Sequence, residues 1–186
     1  MKTLKFSMLF VIFSLCILSS CKKEDVVDGI VSVKLSPTSP VTQSIVVSKQ
    51  QTTNDIIIVE FTISANTAIS IVNLPITINS SGNLTDLISV VKLQVGSMTY
   101  AVSNYVPNSK TGTITFNNFS SPIKIDGDNK INVRIIVDIK PVSIMNTTVI
   151  NASMQADKLI VFDQNNNQIN CVKNGYATGS DISLIN

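Results

Sequence analysis

Oxygen donors at alternating positions are the first side chains in this sequence that could do chemistry. Asp163, Asn165 and Asn167 stand two apart in Asp163-Gln164-Asn165-Asn166-Asn167. A loop presenting carboxylate and amide oxygens in this way suits Ca2+, a hard cation held by oxygen ligands. The pattern then breaks, because Gln168 stands where such a loop turns on a glycine and Asn174 where it closes on a glutamate. A polar hairpin is the simpler reading. Asp126 and Asp128 form a second acidic pair in Asp126-Gly127-Asp128-Asn129, but Asp-Gly between apolar runs is first of all a turn. Ca2+ is weighed only at these five residues, and no other metal or cofactor is expected.

The chain has no histidine and no tryptophan. Without histidine, nucleophile–base pairs and most transition-metal sites lose their commonest member. Catalysis by carboxylates alone requires two acids held across a cleft. Glu60 and Asp138 are the acids that fall in strand interiors, and both alternate with apolar neighbours, so they read as members of solvated strand faces. An enzyme is therefore not expected. Cys171, in Gln168-Ile169-Asn170-Cys171-Val172, reads as a small buried apolar side chain. Tyr100 and Tyr105 flank the end of one strand and offer a shallow ligand patch of the kind a glycan would use. Packing of each ring at the sheet margin, with its hydroxyl in water, explains them as well.

The elements that must position these residues are strands. Ile131, Val133, Ile135, Val137 and Ile139 alternate with Asn132, Arg134 and Asp138, and Val59, Phe61 and Ile63 alternate with Glu60 and Thr62. A period of two puts one set on a buried face and the other toward water. Further β-branched runs lie at residues 30–35, 43–48, 69–78, 88–95, 99–103, 113–117, 147–156, 158–163 and 168–172. The inward phase switches near Val72, as a bulge or a crossing between sheets requires. Only residues 84–91 would tolerate a short helical turn. Asn- and Asp-rich turns separate the runs where glycine is scarce. Many short strands at this spacing predict an all-β fold, a single antiparallel β-sandwich of the immunoglobulin-like, Greek-key type.

At the N-terminus, Lys2 and Lys5 precede an apolar run over residues 8–18 that is interrupted only by Ser14. A basic flank, a short apolar run and small residues after it make a secretory signal. The run is too short to span a hydrocarbon core, which takes about 20 residues. The boundary Leu18-Ser19-Ser20-Cys21 resembles the lipobox of bacterial lipoproteins. That resemblance implies cleavage before Cys21 and lipidation of its thiol, with the acyl chains anchoring the protein. Lys22-Lys23-Glu24-Asp25 resembles the charged tether of surface lipoproteins of the Bacteroidota. This second likeness implies an outer-membrane anchor facing the cell exterior, with a periplasm-facing anchor as the alternative. The expected organisation is a signal peptide over residues 1–20, the lipidated cysteine and a tether over 21–40 with a first strand at 30–35, and the sandwich over 41–186.

Loss of Lys2 and Lys5 with the signal would leave basic and acidic residues in balance, so nucleic-acid binding lacks its electrostatic footprint. Loss of Cys16, with lipid on Cys21, would leave Cys171 as the one remaining thiol, so stability must come from burial. The functional expectation is a non-catalytic, lipid-anchored surface module that contacts a protein or extracellular-matrix partner, as an accessory subunit of a surface assembly. A carbohydrate-binding or sialidase-associated module is the first alternative, and a carboxylate-only enzyme the second.

Overall fold

The computed structural model describes residues 29–117, 119–142 and 147–186. The expected signal peptide, Cys21 and the expected charged tether lie outside these residues. The described chain forms β1 (Ile30–Leu35), β2 (Gln43–Val46), β3 (Thr53–Ala65), β4 (Ile69–Ser80), a helical turn α1 (Leu84–Leu87), β5 (Ile88–Val95), β6 (Met98–Ser103), β7 (Thr111–Phe116) and β8 (Ile123–Ile125). It continues with β9 (Asn129–Ile139), β10 (Thr148–Gln155), β11 (Ile160–Phe162), β12 (Val172–Asn174), β13 (Tyr176–Thr178) and β14 (Ile182–Ile185).

Alternation decides which side chains are buried. On β3 and β9 the register sets Val59 opposite Ile135, Phe61 opposite Val133 and Ile63 opposite Ile131, so apolar side chains meet across the strands on one face. Phe61, Val133 and Ile135 are completely buried, and each such side chain contributes about 1.5–3 kcal/mol of burial. These strands lie at the centre of a six-stranded sheet in the order β12-β1-β3-β9-β5-β6. The facing sheet runs β11-β4-β10-β14-β2, with β13 beside β10 and both β7 and β8 beside β4. One apolar core fills the space between the two sheets. The fold is an all-β sandwich.

Both sheets are mixed, which the expected antiparallel pattern did not include. β1 runs parallel to β12, and β2 runs parallel to β14. In each case the last strands of the chain come back beside the first, so a short segment closes against a partner far away in sequence. The switch of phase in β4 is real: Ile69 and Ile71 are buried, then Leu74, Ile76 and Ile78. Asn73 pairs with Ile160 while Ile71 pairs with Val161, which leaves Val72 as the extra residue of a bulge.

Three expectations need correction. The boundary at residue 41 falls too late, because β1 is an interior strand of the six-stranded sheet, paired to β3 over residues 31–35. The strand expected over residues 168–172 is not continuous. Gln168 makes one bridge to Phe162, and regular pairing resumes at Val172 on the other sheet, because the chain leaves the hairpin there and tucks Cys171 into the core. Glu60 and Asp138 are not solvated: they are 2% and 8% exposed, for the reasons given next.

Candidate functional site: an uncharged sheet edge and a polar loop end

The outward face of the six-stranded sheet carries two ionic clusters. Glu60 sits opposite Arg134, whose Nε donates to Oε2 at 2.6 Å. The chain following β1 folds over the carboxylate, so that Ser36 and Thr38 donate their hydroxyls to Oε1 while the Glu60 N–H donates to the Ser39 hydroxyl. Burial alone would raise the Glu60 pKa; the bonds from Thr38, Arg134 and Ser36 outweigh it and hold the carboxyl below its ordinary value of 4.5. In the second cluster Lys92 Nζ lies 2.8 Å from both Asp55 and Asp138. Asp55 stands in a bulge of β3 with φ of +60°, and its N–H donates to Asp138 at 2.9 Å. The bonds to Asp138 and then Asp55 push the lysine above 10.5 against the effect of burial. In both clusters the acids are spent on fixed internal cations, an arrangement suited to holding covering segments on the sheet.

One margin of the sandwich is different. β6 pairs with β5 and, among the described residues, with no other strand. β7 pairs likewise with β4 alone. Neither Met98-Thr99-Tyr100-Ala101-Val102-Ser103 nor Thr111-Gly112-Thr113-Ile114-Thr115-Phe116 contains a charge or a proline, the usual protections of an open edge. Between the two strands lies a small gap of about 130 Å³, lined by Ala101, Val102, Ser103, Thr115, Phe116 and Asn117. Met98 and Val102 are 65% and 55% exposed. By contrast, the opposite edge of the six-stranded sheet, β12, has only three residues, and its Lys173 donates to the Leu159 carbonyl.

The tyrosines expected to form one patch occupy different environments on this margin. Ala101 pairs with Leu93 and Thr99 with Gln94, so Tyr100 is the extra residue of a bulge; its ring packs partly buried against the core. Tyr105 lies beyond the end of β6 and is 70% exposed. About 16 Å of extended chain separates the two. The loop carrying Tyr105 is pinned to β7 through Pro107, since a Cβ on Gly112 would stand 2.4 Å from that ring.

The two loops that carry the calcium candidates border one cavity, through Asp126 on one side and Gln164 and Asn166 on the other, and do not bring the five candidates together. Asp163 Oδ1 accepts the N–H groups of Asn165 and Asn167, each at 2.8 Å, and Oδ2 accepts the Asn167 side-chain amide at 3.1 Å. These bonds, the Asn167 backbone N–H foremost, hold the Asp163 carboxyl below its usual range. The carboxylate therefore caps its own loop, as the hairpin reading requires, and the Asn167 amide turns its nitrogen toward Asp163. Asp126 and Asp128 belong to a tight turn in which the Asn129 N–H donates to the Asp126 carbonyl and Asp128 has φ of +62°. Among the described residues no three acidic, histidine or cysteine side chains cluster for a metal. Two cavities flank this turn. One, of about 520 Å³, is lined by Asp128 with Ile30, Ser64 and Lys130. The other, of about 640 Å³, joins Asp126 to Gln164 and Asn166 of the Asp163 loop. The sequence reading missed Ser70 and Lys124, which also line the second cavity. Their only signal in sequence was a polar residue set between isoleucines on each strand.

No family model matches this chain, and no curated protein matches it. Solved structures with overlapping architecture include CaCohA2 from Clostridium acetobutylicum, at 18% identity over 81% of this chain and 91% of that one, with a TM-score of 0.30. A CaDoc0917–CaCohA2 complex matches at 17% identity over 84% of this chain and 99% of that one, with a TM-score of 0.34. BslA, a bacterial hydrophobin, matches at 11% identity over 85% and 95%, with a TM-score of 0.30. Likenesses this distant say nothing of what this chain binds.

Proposed function

We propose that this chain is a non-catalytic interaction module, held at the outer membrane by lipid on Cys21 and displayed to the cell exterior, that takes a protein or matrix partner along the β6–β7 margin. The observation that carries this reading is the state of β6: six residues paired on one side, uncharged, with Met98 and Val102 open to solvent. An extended segment laid beside such an edge gains main-chain hydrogen bonds, and exposed side chains select it. The ionic clusters hold Glu60 and Asp138 with Arg134 and Lys92 on the sheet's outward face, and Lys92, directly opposite Val102 in register, is the charge nearest this margin. The lipobox-like boundary and the charged residues behind it support the anchor.

A photo-crosslinking side chain placed at Val102 in living cells tests the reading, with the exposed Lys158 position as control. A discrete adduct from position 102, absent from position 158 and lost on Ala101→Pro, is the expected result. No adduct at 102, or the same adducts from both positions, would overturn it. Protease added to intact cells should digest the module; protection would place the anchor on the periplasmic side.

A further inference from the structure

The 640 Å³ cavity at the loop end has a floor that the strand pattern would not lead one to expect. Ile69 and Ile71 point into the core, so Ser70 points to the outward face of its sheet, yet it is only 6% exposed. It is flanked in register by Lys124 of β8 and Phe162 of β11. The Asp163 loop closes the space from the far side through Gln164 and Asn166. Ser70 lines this cavity, so its hydroxyl borders a space large enough for a small ligand.

We propose that this cavity is a binding site for a neutral sugar. The lining offers hydroxyls from Ser70 and Ser121 and amides from Gln164 and Asn166, groups that both donate and accept, as a sugar's own hydroxyls do. Its one carboxylate, Asp126, and its one ammonium, Lys124, cancel, so an anion and a cation each meet a like charge. An amino-acid zwitterion would engage that pair but leave the hydroxyls and amides unused. Pro122 supplies an apolar wall for the C–H face of a pyranose. The rim is built in advance, because the three bonds to Asp163 fix the loop that carries Gln164 and Asn166, and preorganisation reduces the ordering cost of binding. With no aromatic ring in the lining, affinity falls in the millimolar range. The site shares no lining residue with the β6–β7 gap and does not rest on the function proposed there.

Saturation-transfer NMR on the full chain tests this, using D-glucose, D-galactose, D-mannose and N-acetyl-D-glucosamine, with L-alanine and inorganic phosphate as zwitterionic and anionic probes. Transfer to at least one sugar is expected, weakened about fivefold by Ser70→Ala through loss of one hydrogen bond. The melting temperature of Ser70→Ala should stay close to that of the parent, since the change removes a single hydroxyl at the cavity wall. Gln164→Ala, on the exposed rim, should weaken transfer in the same way and guards against a folding defect at Ser70. Val102→Lys should leave sugar binding intact, which separates this site from the edge. Absence of transfer to all four sugars, transfer indifferent to both variants, or transfer to alanine or phosphate in place of sugar would each overturn the proposal.

Discussion

Glu60 and Arg134 face each other across β3 and β9, and the guanidinium Nε meets the carboxylate at 2.6 Å on the side of the sheet turned away from the core. The glutamate side chain is 3% exposed and the arginine 39%, so the pair is half desolvated. The segment that hides the carboxylate, Ser36 to Ser39, donates to it from Ser36 and Thr38 and accepts the Glu60 N–H at Ser39, which ties the end of β1 to the sheet.

Acid should therefore loosen the fold through Glu60. A carboxyl whose folded pKa lies below 4.5 contributes stability that is complete above pH 4.5 and lost as pH falls through the lower, folded value. Glu60→Gln should cost about 1–2 kcal/mol at neutral pH, a buried-pair penalty discounted for the exposed arginine. The gap between the two proteins should close in acid, since glutamine has no proton to gain. Urea midpoints measured from pH 7 down to pH 3 check this, and a constant gap would contradict it.

Lys92 makes the converse prediction at the alkaline end. Its pKa is raised above 10.5 by Asp138 and Asp55, so its stabilisation is present below pH 10.5 and lost as pH rises through the folded value. Lys92→Met keeps the stem and removes the charge, leaving the Asp138 side chain, itself 11% exposed, without its cation. A loss of about 2 kcal/mol near neutrality is expected, discounted because Asp55 is largely in water. Thermal melts at pH 7 and pH 11 should show the difference between variant and parent shrinking at the higher pH.

The strand phases that the alternation assigns can be tested at Ile135, which faces Val59 and Leu93 from neighbouring strands and is fully buried. Ile135→Ala should cost about 2–5 kcal/mol. Ile135→Asp should abolish the cooperative transition, because an unpaired charge would enter the core. A folded aspartate variant by circular dichroism would mean the phase is reversed.

Where the sequence was legible, local periodicity was the reason. The long strands β3, β4, β5 and β9, the bulge near Val72 and the turn at Asp126-Gly127 each follow from residues a few positions apart. What escaped was set at long range. Alternation identifies which face Glu60 occupies but not what lies over it, and the covering hydroxyls of Ser36 and Thr38 come from more than twenty residues away. The strands over 123–125, 176–178 and 182–185 are too short to show a period; their pairing partners define them. Asp126 and the Asp163 loop were both singled out as oxygen-rich turns, yet their meeting at one cavity follows from β8 and β11 flanking β4, an order no local pattern encodes.

Gly175 offers a test of one such long-range contact. It has φ of +85°, and a Cβ there would stand 2.3 Å from the Val33 carbonyl oxygen, where the chain passes from β12 to β13. Gly175→Ala meets both backbone strain and a clash with main chain, a cost of about 2–4 kcal/mol. Gly96 has φ of +59° but open space around it, so Gly96→Ala should cost only about 1 kcal/mol. Equal urea midpoints for the two variants would show that β1 does not approach Gly175 as described.

The cysteines carry the prediction on which the cellular reading turns. Cys21 is expected to bear lipid and lies outside the described residues, while Cys171 is 8% exposed in the core. If acyl chains on Cys21 are the anchor, Cys21→Ala should move the protein from the membrane fraction to the soluble fraction or leave its precursor unprocessed. Cys171→Ala should leave fractionation unchanged and lower stability modestly, by about 1 kcal/mol for a small cavity. Reductant should leave the melting temperature of the parent unmoved, because a single buried thiol has no second cysteine within the domain to pair with. Membrane retention of a Cys21→Ala chain that has lost residues 1–20 would remove the lipid anchor, and with it the premise that the β6–β7 margin works at a cell surface. A reductant-sensitive melt would instead reveal a bridge from Cys171 to another chain, and would recast the module as one arm of a covalent pair.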